Sequence, residues 1–203
     1  MANEEVNNGR RRFLTATTAV VGAAGVGAAG YAFLSSWQPS ARAQSAGAPV
    51  EVDITQLARE PGGRLTVQWR GKPVWIFQRS PEELGVLPTL EPRLADPESS
   101  NLDQTPAFAR NEARSIKPDI GVLVGICTHL GCSPLFVPEM QPQAFDSEWK
   151  GGFYCPCHNS RFDLAGRVFQ GMPAPSNLEV PPYHFVPGSP NRVVIGIAPG
   201  EVS

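Results

Sequence analysis

The sequence predicts a mainly β protein, an antiparallel β sandwich preceded by one transmembrane helix at the amino terminus. The 203-residue chain contains 21 prolines and 20 glycines, which favour turns and long connections over a helical bundle. Its long apolar stretch lies near the amino terminus, and short β-type runs separated by turn residues follow it. This length suits one ordinary domain with a short appendage. The net charge of −2 provides no basic surface for nucleic acid.

The amino terminus has the features of an export signal that is retained as a membrane anchor. Residues 10–15, RRRFLT, fit the twin-arginine export pattern, and no charge follows from Phe13 through Ala41. A helix over residues 13–37 would be about 37 Å long, enough to cross a hydrocarbon core of about 30 Å. Because the arginines precede this span, the positive-inside rule predicts a cytoplasmic segment at 1–12 and an exported head.

A cleaved signal peptide is the alternative interpretation of the same segment. Ala41-Arg42-Ala43 resembles an A-x-A cleavage site, and four glycines between residues 22 and 30 dilute the hydrophobicity. The apolar stretch of a cleaved signal is shorter, about 7–15 residues, which favours an anchor at 13–37. The small and polar residues 38–49 cannot build a core, so we interpret them as a flexible tether. An ordinary linker is the alternative.

The predicted head spans residues 50–203. A helical pattern at Pro81–Leu87 opens a proline-rich segment, 80–118, which we interpret as a partly helical insertion on the rim. A hairpin is predicted around Gly71-Lys72-Pro73, between two of the strands. Strands or short β-type runs are predicted at Val50–Ile54, Arg64–Trp69, Val74–Phe77, Ile120–Ile126, Phe153-Tyr154, Arg161-Phe162, Val168-Phe169 and Arg192–Ile197.

Two short motifs contain all four cysteines and two of the three histidines. Box one is CTHLGC at 127–132, and box two is CPCHNS at 155–160. Each contains a Cys-x-His or Cys-x-x-His pair and one further cysteine. A Rieske-type [2Fe–2S] cluster requires two thiolates on one iron and two imidazoles on the other. The residues that supply this set are Cys127 and His129 from box one, and Cys155 and His158 from box two.

Cys132 and Cys157 remain after this assignment and can close a disulfide, which implies an oxidising compartment. Zinc is one alternative for the two boxes. Zinc sites usually contain C-x(2–4)-C knuckles, whereas the cysteines are five apart in box one and two apart in box two. A four-ligand zinc site would also leave two of these six groups unexplained. A set of disulfides without metal is the second alternative.

The chain resembles the Rieske iron–sulfur subunit of the quinol–cytochrome c oxidoreductase, the cytochrome bc complex, in its proteobacterial form. CTHLGC and CPCHNSRFD carry the resemblance, and GMPAPSNLEVPPY at 171–183 supports it. The resemblance implies a Rieske-type sandwich with a [2Fe–2S] cofactor. The two boxes are expected to form loops at one tip, within a cluster-binding subdomain at about 125–178.

The resemblance also implies a function. The cluster would take an electron, coupled to a proton, from quinol at His158 and pass it to a c-type cytochrome, with His129 as the second exposed ligand. Cytochrome b would complete the quinol site, so the isolated chain would complete no turnover. The expected setting is a dimeric complex in the bacterial inner membrane, with one span and a periplasmic head. The alternative is a Rieske subunit of another exported enzyme, such as an arsenite-oxidase-like molybdenum enzyme.

Further residues take roles from the same resemblance. Pro173, in the loop Gly171–Pro175, is expected to cover the cluster together with Leu130. Ser160 resembles the serine that donates a hydrogen bond to a bridging sulfide. Phe162 departs from the family, which usually has tyrosine there, donating to a ligand sulfur. His184 lies outside both boxes and is given no role.

Overall fold

The computed structural model describes residues 7–41, 47–57 and 63–201. The chain divides into two units, residues 1–45 and 46–203. Residues 42–46, which belong to the predicted tether and to the candidate cleavage site, lie outside the described residues.

The first unit is a single long helix. Helix α1, Asn8–Ser35, contains 28 residues, about 42 Å at 1.5 Å per residue. Its length and apolar composition are sufficient to cross a membrane. The side chain of Asn7 accepts a hydrogen bond from the Arg10 amide at 3.1 Å and caps the first turn. The hydroxyls of Thr15, Thr17 and Thr18 each donate to a carbonyl one turn earlier at 2.9 Å, so these polar groups are satisfied within the helix.

The second unit is mainly β, as predicted. Its described strands form three antiparallel sheets with the orders β1-β9-β8, β2-β3-β4 and β5-β6-β7. We refer to the second as the central sheet and to the third as the cluster sheet. The strands are β1 Val50–Asp53, β2 Arg64–Trp69, β3 Lys72–Gln78, β4 Ile120–Val124, β5 Leu135–Val137, β6 Gly152–Cys155, β7 Ser160–Phe162, β8 Tyr183–Phe185 and β9 Arg192–Ile195.

Two local predictions require correction. The β2–β3 turn lies at Arg70-Gly71, one step earlier than predicted, because both residues adopt positive φ and reverse the chain within two residues. Lys72 and Pro73 therefore belong to β3. Val168 and Phe169 form only isolated bridges and not a strand.

The segment 80–118 is partly helical, as predicted, but it also contributes side chains to the interior of the head and does not lie only on its rim. Helix α2, Pro81–Leu90, begins with a capping box in which Ser80 and Glu83 exchange side-chain-to-backbone hydrogen bonds. Two 3₁₀ turns follow at Glu91–Arg93 and Ala107–Ala109. The segment contributes buried Leu87 and Arg114 to the interior of the head.

Aromatic packing joins the central sheet to the cluster sheet. The indole of Trp75 on β3 stacks on Phe153 of β6 with ring centroids 5.1 Å apart, and Phe77 meets the same ring edge-on at 5.4 Å. All three side chains are buried. Gly125, directly after β4, lies against the opposite strand, where a Cβ atom would overlap the Trp75 indole. The packing therefore requires glycine at this approach to box one.

We predict that Gly125→Ala destabilises the head by about 1–3 kcal/mol, because the added methyl group overpacks the Trp75 site. For a protein of this size each kcal/mol corresponds to about 2–4 °C in Tm. Thermal unfolding of the full chain measures the effect. Gly85→Ala is the matched control. It lies in α2 with open space around its Cβ, so it should gain about 0.5–1 kcal/mol. Equal Tm values for the two variants would contradict the packing argument.

Candidate metal centre

Box one is a tight loop that follows β4. The Cys127 amide donates to the Cys132 carbonyl at 2.7 Å, and the Gly131 amide donates to the Cys127 carbonyl at 3.0 Å. Gly131 has a φ of +83°, which glycine adopts without strain. The hydroxyl of Thr128 donates to the Ser176 carbonyl at 2.6 Å and ties this loop to the segment after Gly171–Pro175. Leu130 is 71% exposed at the tip of the loop.

Box two forms the reversal between β6 and β7. Cys155, the last residue of β6, is paired with Ser160, the first residue of β7. Asn159 adopts a φ of +62° at the end of the connection, and its side-chain oxygen accepts from the Tyr154 hydroxyl at 2.5 Å. Asparagine is among the residues that tolerate this left-handed backbone best.

A disulfide between Cys132 and Cys157 joins the two boxes, as predicted. Its Cα atoms are 6.7 Å apart, and the cysteines are separated by 25 residues in sequence. The disulfide braces the two loops against each other.

The remaining box residues are ordered by depth. Cys127 and Cys155 are free thiols, each only 2% exposed. The two thiols contact each other, and Cys127 also contacts the hydroxyl of Ser160; burial is the main cause that raises the pKa of the Cys127 thiol. The rings of His129 and His158 lie 4.6 Å apart between centroids, and the His158 side of the pair is exposed. The site therefore has two buried sulfurs and an exposed His158 imidazole, whereas His129, expected to be exposed, is half-buried because its ring packs against that of His158.

This arrangement fits a cluster with thiolates on one iron and imidazoles on the other. Nδ1 of His129 is buried and has no hydrogen-bond partner among the described residues. This is expected of a nitrogen that would ligate a metal ion. Zinc is not supported by the geometry. Among the described residues, the potential ligand atoms that lie within 4.8 Å of one another in a group of three belong to Cys132, Cys155 and Cys157. Two of these form the disulfide and provide no thiolate.

The residues expected to cover the site lie beside it. The Ala174 amide donates to Oγ of Ser160 at 3.1 Å, which holds the loop Gly171–Pro175 against box two. Pro173 is exposed and helps to line an open cleft of about 600 Å³ next to His158. Phe145, Tyr154 and Met172 also line this cleft.

Sequence analysis missed the polar network behind this cleft. Asp146 is nearly buried and accepts from Arg93 at 2.7 Å and from Arg161 at 3.0 Å. Nε of Arg161 also contacts the sulfur of Met172 at 3.4 Å. This contact links β7 to the loop Gly171–Pro175, which we call the cover loop. Arg161 stands within CPCHNSRFD, but its partners are distant in sequence and carry no motif.

The other two residues singled out from the sequence lie in packed surroundings. Phe162 is fully buried in the main hydrophobic core and is paired with Phe153 across the cluster sheet. His184 lies on β8, and its Nδ1 is 3.1 Å from the Ile197 carbonyl oxygen. Within the described residues, the hydrogen bond of the His184 ring is made to Ile197 and not to either box.

Comparison with known families agrees with this geometry. The family described as "Rieske [2Fe-2S] domain" matches residues 95–183. The family described as "Ubiquitinol-cytochrome C reductase Fe-S subunit TAT signal" matches residues 1–40. The predicted [2Fe–2S] cofactor and the predicted twin-arginine signal are therefore confirmed.

Individual relatives extend over nearly the whole chain. The "Ubiquinol-cytochrome c reductase iron-sulfur subunit" of Allochromatium vinosum is 55% identical over 186 residues, which cover 92% of this chain and 88% of that protein. The protein of the same name from Blastochloris viridis is 39% identical and covers 93% and 94%. A solved structure titled "Hyperthermophilic respiratory Complex III" matches at 25% identity, with 88% and 98% coverage and a TM-score of 0.46. The chain belongs to the family of the Rieske iron–sulfur subunits of ubiquinol–cytochrome c reductase.

Proposed function

We propose that this chain is the electron-transfer subunit of a quinol–cytochrome c reductase, with His158 as the residue that meets quinol. The observation that carries the proposal is the difference in burial within the ligand set, which has two buried thiols and a pair of adjacent imidazoles of which His158 is exposed. When bound, a cluster with two imidazole ligands supplies one-electron chemistry at about −150 to +300 mV, against about −400 mV for plant-type ferredoxins. A mild reductant such as quinol can reduce only the former.

The residues of the chain then divide the work. Cys127 and Cys155 would hold one iron of the cluster, and His129 and His158 would hold the other. The solvent-facing ring nitrogen of His158 can release or take up a proton, because the imidazole is exposed beside the cleft. Pro173, which lines the cleft with His158, and Leu130, exposed at the tip of box one, would offer apolar surface to an approaching quinol.

The proposed partners are cytochrome b, which completes the quinol pocket, and a c-type cytochrome, which accepts the electron within a dimeric complex. Helix α1 would anchor the chain in the bacterial inner membrane with the head in the periplasm. Residues 38–49 would serve as the tether that lets one cluster meet both partners. The names of the relatives favour this setting over an arsenite-oxidase-like enzyme.

We predict that His158→Ala abolishes the Rieske electron paramagnetic resonance signal of the dithionite-reduced protein, because one of four cluster ligands is lost. Replacement of Cys127, Cys155 or His129 should have the same result. His184→Gln is the control, since His184 lies on β8 outside both boxes, and it should retain the signal. A normal signal from His158→Ala would exclude the ligand assignment.

We predict that the double variant Cys132→Ser, Cys157→Ser loses about 3 kcal/mol of stability, the chain-entropy value for a closed loop of this size. Its cluster signal should also be lost at lower temperature than that of the unmodified chain. Mass spectrometry of the unreduced protein should show the Cys132–Cys157 crosslink. Two free thiols at these positions in active protein would contradict a structural role.

We predict that Ser160→Ala lowers the midpoint potential, because the hydroxyl no longer stabilises electron density on sulfur. A net hydrogen bond is worth about 0.5–1.5 kcal/mol, which corresponds to roughly 20–65 mV for one electron. Phe162→Tyr should raise the midpoint by a similar amount by adding a donor. Protein-film voltammetry measures both. No rise for Phe162→Tyr, in a protein whose new hydroxyl is shown to reach a ligand sulfur, would exclude tuning by this position.

A further inference from the structure

The turn that follows box two is held by three buried arginines. Residues 163–167 reverse the chain directly after β7. Nε of Arg79 donates to the Leu164 carbonyl at 2.9 Å, and Arg114 donates to the Ala165 carbonyl at 3.0 Å. Arg167 forms an ion pair with Asp163 at 2.7 Å. We call Arg79, Arg114, Arg167 and Asp163 the arginine cage.

The cage contains more positive than negative charge. Its four side chains are each at most 2% exposed, and three guanidinium groups share the single carboxylate of Asp163. Glu83 and Asp96 act on Arg79 and Arg114 respectively from partly exposed positions. The other nearly buried carboxylate of the described residues, Asp146, is paired with Arg93 and Arg161 instead. The buried set therefore carries a formal excess of two positive charges.

This excess is costly to the fold. Burial lowers the pKa of Arg79 to about 10 and that of Arg114 to about 10, because the charged form loses its water. Each arginine of the cage also retains one buried N–H without a partner among the described residues: Nη2 of Arg79, Nε of Arg114 and Nη1 of Arg167. Neutral donors could satisfy the carbonyls of the turn with a smaller desolvation cost. Hydrogen bonding to the turn therefore does not explain why these buried side chains are charged.

The cage is connected to the thiol pair through short stretches of chain. Asp163 is three residues beyond Ser160, about 10 Å at about 3.3 Å per strand residue, and Ser160 contacts Cys127. Arg114 also donates to the Leu178 carbonyl at 2.7 Å. The next carbonyl, of Glu179, accepts from Val124, three residues before Cys127. Two separate chain paths thus connect the cage to the site.

We infer that the arginine cage raises the reduction potential of the cluster by its buried positive charge, an inference that rests on the proposed function. An added electron makes the site more negative, and excess positive charge buried in the interior stabilises that state. For an effective dielectric constant of about 20 and charges roughly 12 Å apart, slightly more than the span of the three strand residues from Ser160 to Asp163, one charge changes the reduction equilibrium about tenfold. For one electron this is about 59 mV.

The test compares neutral with charge-conserving variants of the full chain by voltammetry. Arg79→Gln and Arg114→Gln should each make reduction about tenfold less favourable, whereas Arg79→Lys and Arg114→Lys should stay near the unmodified value. Asp163→Asn should shift the midpoint in the opposite direction. The shifts should persist in 1 M salt, because buried charges are poorly screened. Arg192→Gln, at an exposed ion pair with Glu51, is the control and should cause no shift.

Structural damage predicts a different pattern. If the cage only holds the turn, Gln and Lys variants lower Tm together and Asp163→Asn shifts the midpoint in the same direction as Arg79→Gln. That result overturns the inference. If a Gln variant fails to load the cluster, its Lys counterpart decides. A tenfold shift of the midpoint in the Lys variant overturns the inference. A Lys variant with an unchanged midpoint, together with a raised midpoint in Asp163→Asn, supports it. Absence of a Rieske signal in the unmodified chain would instead overturn the proposed function.

Discussion

The site depends on the stacking of Trp75 against Phe153, because this contact sets the positions of both boxes. Trp75 lies on β3, which pairs with β4, and β4 leads into box one. Phe153 lies on β6, which ends at Cys155 in box two. The two ligand loops come from different sheets and are separated by more than twenty residues, so only tertiary packing can bring them together. The Cys132–Cys157 disulfide joins the same two loops covalently.

The sequence was sufficient to predict the disulfide and most strands and to propose a set of ligands, because each leaves a local pattern. The Cys-x-His spacing is determined by the short reach of a single loop, and continuous apolar runs such as Ile120–Val124 indicate buried strands. Ion pairs and hydrogen bonds between segments that are distant in sequence leave no such pattern. Asp146 with Arg161, and Arg79 with the turn at 163–167, join residues that nothing in the sequence relates. The burial of segment 80–118 was missed for the same reason.

In the proposed function, the difference in burial within the site would separate two tasks of one cluster, electron transfer and proton exchange. Thiols at 2% exposure keep one end of the site in a low-dielectric interior, where nearby charges and hydrogen bonds act strongly. The exposed imidazole of His158 places the other end where a proton can enter or leave. A site with both ends buried could not exchange the proton, and one with both ends exposed would lose its electrostatic control to solvent.

The alternation of β7 places the two residues predicted to tune the potential, Ser160 and Phe162, on one face of the strand. Side chains at i and i+2 share a face of a strand, so Ser160 and Phe162 both point toward the buried side, and Arg161 points to the cleft. Oγ of Ser160 accepts from the Ala174 amide. A hydroxyl that accepts in this way keeps its single proton for another acceptor, and the Cys127 sulfur is in contact. The cover loop thereby orients the hydroxyl toward sulfur, and a tyrosine at 162 would offer a second donor from the same face.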